Sequence, residues 1–210
     1  MSIERIIDLN NMTVEHIDRQ EYTAAIRTSI RALRLQKTFK SERSRDLTSD
    51  DAYGVLDQCM LLSTVTDSKT SHGRTFIYNQ GVLLPLHLTD YTCMCAILIF
   101  NAGLAHQLRA ETSNEVDEST RLLLKAKRMY ELASNLRHVE QNALFKFVLV
   151  NNAAVIEEKV GDKHTSKSYY DFLMATFMLF VDQRCTQHVR QIRGFLSNMP
   201  AQQGETAAAA

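Results

Sequence analysis

The side chains best able to do chemistry here are thiols, imidazoles and paired carboxylates, and none is spaced for a familiar reaction. Cys93 and Cys95 form the close thiol pair, but a zinc site needs four ligands and only His87 stands near them. Residues two apart on a helix point in different directions, so the pair reads as buried thiols. The seven His, at positions 16, 72, 87, 106, 138, 164 and 188, never take the spacing with a companion Glu of a zinc-hydrolase helix. Asp50-Asp51 and Glu157-Glu158 are adjacent acids that read as solvated faces. With only 7 Gly in 210 residues, no nucleophile elbow, phosphate loop or dinucleotide loop is present. No catalytic residue, metal ligand or cofactor is assigned, and the chain reads as a non-enzyme.

Charge points to no polyanion. Lys+Arg and Asp+Glu both number 24. The basic run Arg27, Arg31, Arg34, Lys37, Lys40, Arg43 and Arg45 lacks the interleaved aromatics that stack on bases, so it reads as a solvated face rather than a nucleic-acid site. Four Cys without a disulfide-like framework suggest reduced thiols and a cytoplasmic or nuclear protein. The first residues carry charges where a signal peptide needs an apolar run. The apolar stretches 93–100 and 172–181 fall short of the roughly 20 residues that span a bilayer, so no membrane segment is expected.

The elements that must position these side chains are helices. Two Pro, few Gly, 45% apolar and 23% charged residues favour a mainly all-α fold with a sizeable core. Ile3, Ile6, Ile7, Val14 and Ile17 mark one apolar stripe, and Tyr22, Ile26, Ile30 and Leu33 a second, so residues 1–37 read as an antiparallel helix pair. Residues 38–88 read as an insertion of polar loops around two short apolar runs, 59–65 and 76–85. Pro85 forbids a long helix there, and the expectation is a small β-hairpin or extended segment. A second pair is expected over 89–137, capped by Thr89-Asp90 with a loop over 111–118. A third covers 138–182, its first helix spanning about 139–159 and its second starting near Thr165. A capping helix over 183–199 and a disordered tail over 201–210 complete the reading.

Self-similarity ties the three pairs together. Ala25/Ser29/Ala32, Ala126/Tyr130/Ala133 and Ser166/Tyr170/Leu173 repeat one spacing, and each first helix carries an Asn in apolar surroundings: Asn11, Asn101 and Asn152. Asn11 precedes Ala25, and Asn152 precedes Ser166, by 14 positions. Asn101 precedes Ala126 by 25, which reads as an insertion between those two helices. The pattern resembles the tetratricopeptide repeat: Tyr22, Ala25, Ile26, Ala32 and Leu33 resemble its second helix, residues 100–105 and 151–156 its first, and Gly161-Asp162 its turn. The usual Trp and the repeat-ending Pro are missing.

That resemblance implies antiparallel helix-hairpin repeats and a scaffold whose first helices line a concave groove for a protein or peptide. It would put Asn11, Asn101 and Asn152 on the concave side, bonding an extended ligand's backbone, with Leu104, Leu108, Val155 and Lys159 further along. Ile7, Ile97 and Val148 stand where family members that grip a carboxylate carry Lys or Arg, so an apolar peptide suits the groove better than an acidic tail. The other reading of the Asn is that they satisfy backbone groups around them. The other functional class is an assembly subunit that buries apolar surface, such as residues 144–150, in a homo- or hetero-oligomer.

Overall fold

A computed structural model describes residues 3–43, 59, 77–86, 88, 90–136, 139, 142–181, 195 and 198. Six long helices carry the described fold: α1 (Ile3–Asp18), α2 (Tyr22–Arg43), α3 (Tyr91–Thr112), α4 (Val116–Ser134), α5 (Ala143–Val160) and α6 (Lys163–Val181). The chain is mainly all-α, and no strand occurs among the described residues. Each helix packs chiefly on its neighbours in sequence, with α1 also touching α3. Short connections make α1–α2, α3–α4 and α5–α6 antiparallel hairpins.

Local chemistry sets the helix ends. Asp90 Oδ1 accepts from Cys93 N at 2.8 Å, and Asn142 Oδ1 accepts from Phe145 N at 2.7 Å, so both helices start where an unpaired N–H is met. The α1–α2 turn uses Gln20 in the left-handed region, φ 62°, while Glu21 N donates to His16 O. The α5–α6 turn uses Gly161 at φ 92°, a conformation Gly adopts without a Cβ clash, and Asp162 then caps α6 through Thr165.

Burial explains the sequence pattern and its misreadings. α3 and α5 are buried on nearly all sides, which is why they are apolar all round and show no clear stripe. α3 is the one described helix long and apolar enough to cross a membrane, and most of it is buried in the core. All nine residues of the three repeated triplets are buried. The 11 extra residues between Asn101 and Ala126 (25 against 14) are not an inserted loop. They lengthen the two helices by about three turns, leaving residues 113–115 as the link. Polarity misled the boundaries likewise: α2 continues past residue 37 to Arg43, and Asp117 and Glu118 form the first turn of α4 rather than a loop, a favourable place for acids. α5 begins at Ala143 rather than 139, at its Asn142 cap. Of the expected capping helix only Phe195 and Asn198 are described, both helical, and the 201–210 tail lies outside the described residues.

Candidate functional site: a groove gripped by asparagines

Residues 77–86 run as an extended strap, free of regular secondary structure, against the first helix of each pair. In extended backbone the N–H and C=O of one residue point to the same edge, and residues of equal parity share that edge. A primary amide carries one acceptor and one donor side and can meet both groups. Three Asn do so. Asn152 accepts from Tyr78 N at 3.0 Å and donates to Tyr78 O at 2.9 Å. Asn101 pairs with Val82 N and O, both at 2.8 Å. Asn11 pairs with Leu84 N at 2.9 Å and Leu84 O at 3.0 Å. Positions 78, 82 and 84 share parity, so a single strap edge meets α5, α3 and α1 in turn. Six residues at about 3.3 Å each span ~20 Å, close to two helix spacings of 8–10 Å.

A second tier holds the amides. Asn10 accepts from Asn101 Nδ2 at 2.8 Å and donates to Val82 O at 3.0 Å. Asn151 donates to Asn152 at 3.2 Å and accepts from Asn198 at 2.7 Å. Tyr130 receives a long bond from Asn152 at 3.4 Å and donates to Gln107 at 2.7 Å, linking the groove to α4. The doubled Asn at 10–11 and 151–152 was the signal that could have pointed to these helpers.

Apolar contacts finish the grip. Tyr78, Val82 and Leu84 are at most 3% exposed, whereas Ile77, Asn79, Leu83 and Pro85 are half-buried; Gln80 and Gly81 depart from strict alternation, Gln80 being half-buried and Gly81 buried against α1. Tyr78 packs on Phe100 and Phe195, and Phe100 meets Tyr130 and Phe145, so the strap joins the aromatic core. A Cβ at Gly81 would come within 2.9 Å of Val14, so the absent side chain lets the strap lie against α1.

The structure brings Asn11, Asn101 and Asn152 together along one segment, and that segment belongs to the chain itself, so the bonding seen is that of the second reading of these Asn: they satisfy backbone groups of their own chain. An extended segment was expected in the 38–88 insertion, and residues 77–86 are one; Tyr78, Val82 and Leu84 bond to helix-borne amides, and of the other expected apolar run, 59–65, only Cys59 lies among the described residues. Leu104 and Val155 are fully buried, Leu108 is half-buried, and the Lys159 ammonium pairs with the Glu111 carboxylate. No bond to the strap is formed by these four among the described residues.

Burial keeps Cys59 and, on α3, Cys93 and His106 in their neutral forms. Burial pushes the Cys59 thiol up to about 11, and burial with Asp90 nearby pushes Cys93 higher still, so neither is a thiolate at neutral pH. Burial, with Lys125 and Arg109 nearby, lowers His106 to about 4 and keeps it neutral. Lys127, its pKa raised chiefly by its bond to Glu157, pairs with that nearly fully buried carboxylate across α4 and α5. No group of three or more His, Cys, Asp or Glu is placed to hold a metal among the described residues. Compared with family models, curated proteins and solved structures, the chain matches none of them.

Proposed function

We propose that the chain is a non-catalytic interaction scaffold whose groove holds an extended polypeptide by its backbone. The observation that supports this most is the threefold pairing of an Asn amide with the N–H and C=O of one extended residue. Such contacts recognise peptide main chain whatever the side chains, while the apolar subsites at alternate positions select among sequences. The resemblance to tetratricopeptide repeats, drawn from the buried triplets and the Asn of the first helices, points to the same class. The assembly-subunit reading loses its main motive, because Leu144, Phe145, Phe147, Val148 and Leu149 are buried inside this chain. The buried, protonated thiols suit a reducing compartment, cytoplasmic or nuclear.

A display library of random peptides tests the proposal. It is panned on the intact chain and on Val82→Ala/Leu84→Ala, in which the strap is weakened. The expected harvest is uncharged, apolar sequences whose binding is lost on Asn152→Ala. If neither chain enriches peptides that depend on the groove Asn, the scaffold reading fails.

A further inference from the structure

Resting on that reading, we infer that residues 77–86 are a built-in competitor of the groove, and that the partner is a protein segment of the same pattern. The strap defines it: extended and uncharged, apolar at positions 1, 5 and 7 as in Tyr78, Val82 and Leu84, and Gly at position 4 as in Gly81.

Three observations carry this. First, every strap bond to Asn11, Asn101 and Asn152 uses main-chain atoms, so another polypeptide can reproduce all six without matching the strap's identity. Second, the side-chain contacts of the strap are apolar and set by shape. Val14 stands where any side chain at position 4 would go, and Phe100 receives the ring at position 1. Third, helical hairpins need no such segment to complete their own hydrogen bonds. At Tyr78, Val82 and Leu84 both main-chain groups are met by side-chain amides, which is how a bound peptide is held rather than how a sheet or helix is built. Among the described residues no charged side chain bonds to the Asn tiers, so an acidic or basic segment would lose its hydration without a counter-ion there. The strap is covalently joined to α3 through residues 87–90, so it competes at an effective concentration of about millimolar. A free segment must therefore bind better than the strap, or arrive when the strap has been drawn away.

The test uses a fluorescent synthetic peptide of residues 77–86, titrated by anisotropy into the intact chain and into Val82→Ala/Leu84→Ala. Binding to the weakened-strap chain should be at least about tenfold tighter than to the intact chain. A peptide carrying Gly81→Val should bind neither. Equal affinity for both chains overturns the competitor while leaving the scaffold reading intact. So does failure of the peptide to bind a folded weakened-strap chain that still takes library peptides. Loss of binding by every peptide instead removes the scaffold reading. If the double variant does not fold, hydrogen exchange on the intact chain decides. The amides of Tyr78, Val82 and Leu84 should exchange by local opening, well before those of Ile97 and Leu104. Exchange of both sets only on global unfolding makes the strap a permanent part of the core and overturns the inference.

Discussion

Asn101 is the centre of the groove, and its replacement by Asp isolates what the amide does. The two side chains have nearly the same shape, so no cavity is opened. Asn101 accepts from Val82 N and donates to Val82 O and Asn10 Oδ1. A carboxylate keeps the first bond and loses both donated ones. Val82 O still receives Asn10 Nδ2, but Asn10 Oδ1 is left without its donor, and two acceptors face a fully buried negative charge. An unpaired buried acceptor costs about 1–3 kcal/mol and a buried charge more, so Asn101→Asp should destabilise by roughly 3–5 kcal/mol at pH 7. The new carboxyl's folded pKa must lie above its unfolded value, since burial and facing acceptors favour the neutral form. The penalty is therefore fully present above the folded pKa and shrinks as pH falls through it, when the carboxyl can donate one bond. Urea unfolding followed by circular dichroism at pH 7 and pH 5 reads both effects, with Asn101→Ala as a charge-free comparison. A penalty under 1 kcal/mol at pH 7, or one that grows on acidification relative to wild type, would refute the hydrogen-bond assignment.

Other parts of the structure give sharper local tests. Gly81→Ala should destabilise by about 1–2 kcal/mol through its clash with Val14, and Val14→Ala should recover part of that loss in a double-mutant cycle; simple additivity would mean the strap does not lie on α1. Ala133→Leu should cost about 1–3 kcal/mol in thermal or urea unfolding, because Ala133 is fully buried, and an unchanged midpoint would mean that site can expand freely. His106, held near 4 in the fold against about 6.5 unfolded, contributes stability that is complete above pH 6.5 and lost as pH falls through 4. By pH 4 the loss is on the order of 2–3 kcal/mol, so His106→Asn should flatten that part of the pH profile, and parallel profiles would count against a buried neutral imidazole.

How much was legible beforehand follows from what each feature depends on. The triplets around Ala25, Ala126 and Ser166 repeat because small residues let helices approach, a local requirement visible as spacing, and all nine residues are buried. The grouping of Asn11, Asn101 and Asn152 was legible for the same reason, since they hold equivalent places on three first helices. Their ligand was not. Residues 77–86 carry no feature saying that their edge meets three helices; that depends on tertiary placement, and the alternation of Tyr78, Val82 and Leu84 fits a hairpin strand equally well. Leu104 and Val155 were read as groove-lining, but α3 and α5 are buried on nearly all sides, so apolar character could not tell groove from core. The long separation in the middle pair looked like an insertion because polar residues 111–118 resemble a loop, whereas a solvent-facing helix end is equally polar.

The central claim is that the groove reads main chain, and a single atom tests it. Peptide 77–86 with the Val82 nitrogen methylated keeps every side chain but has no N–H for Asn101 Oδ1. Titrated into the Val82→Ala/Leu84→Ala chain, it should bind at least about tenfold more weakly than the unmodified peptide, because a buried acceptor loses its donor. Equal binding would contradict backbone recognition.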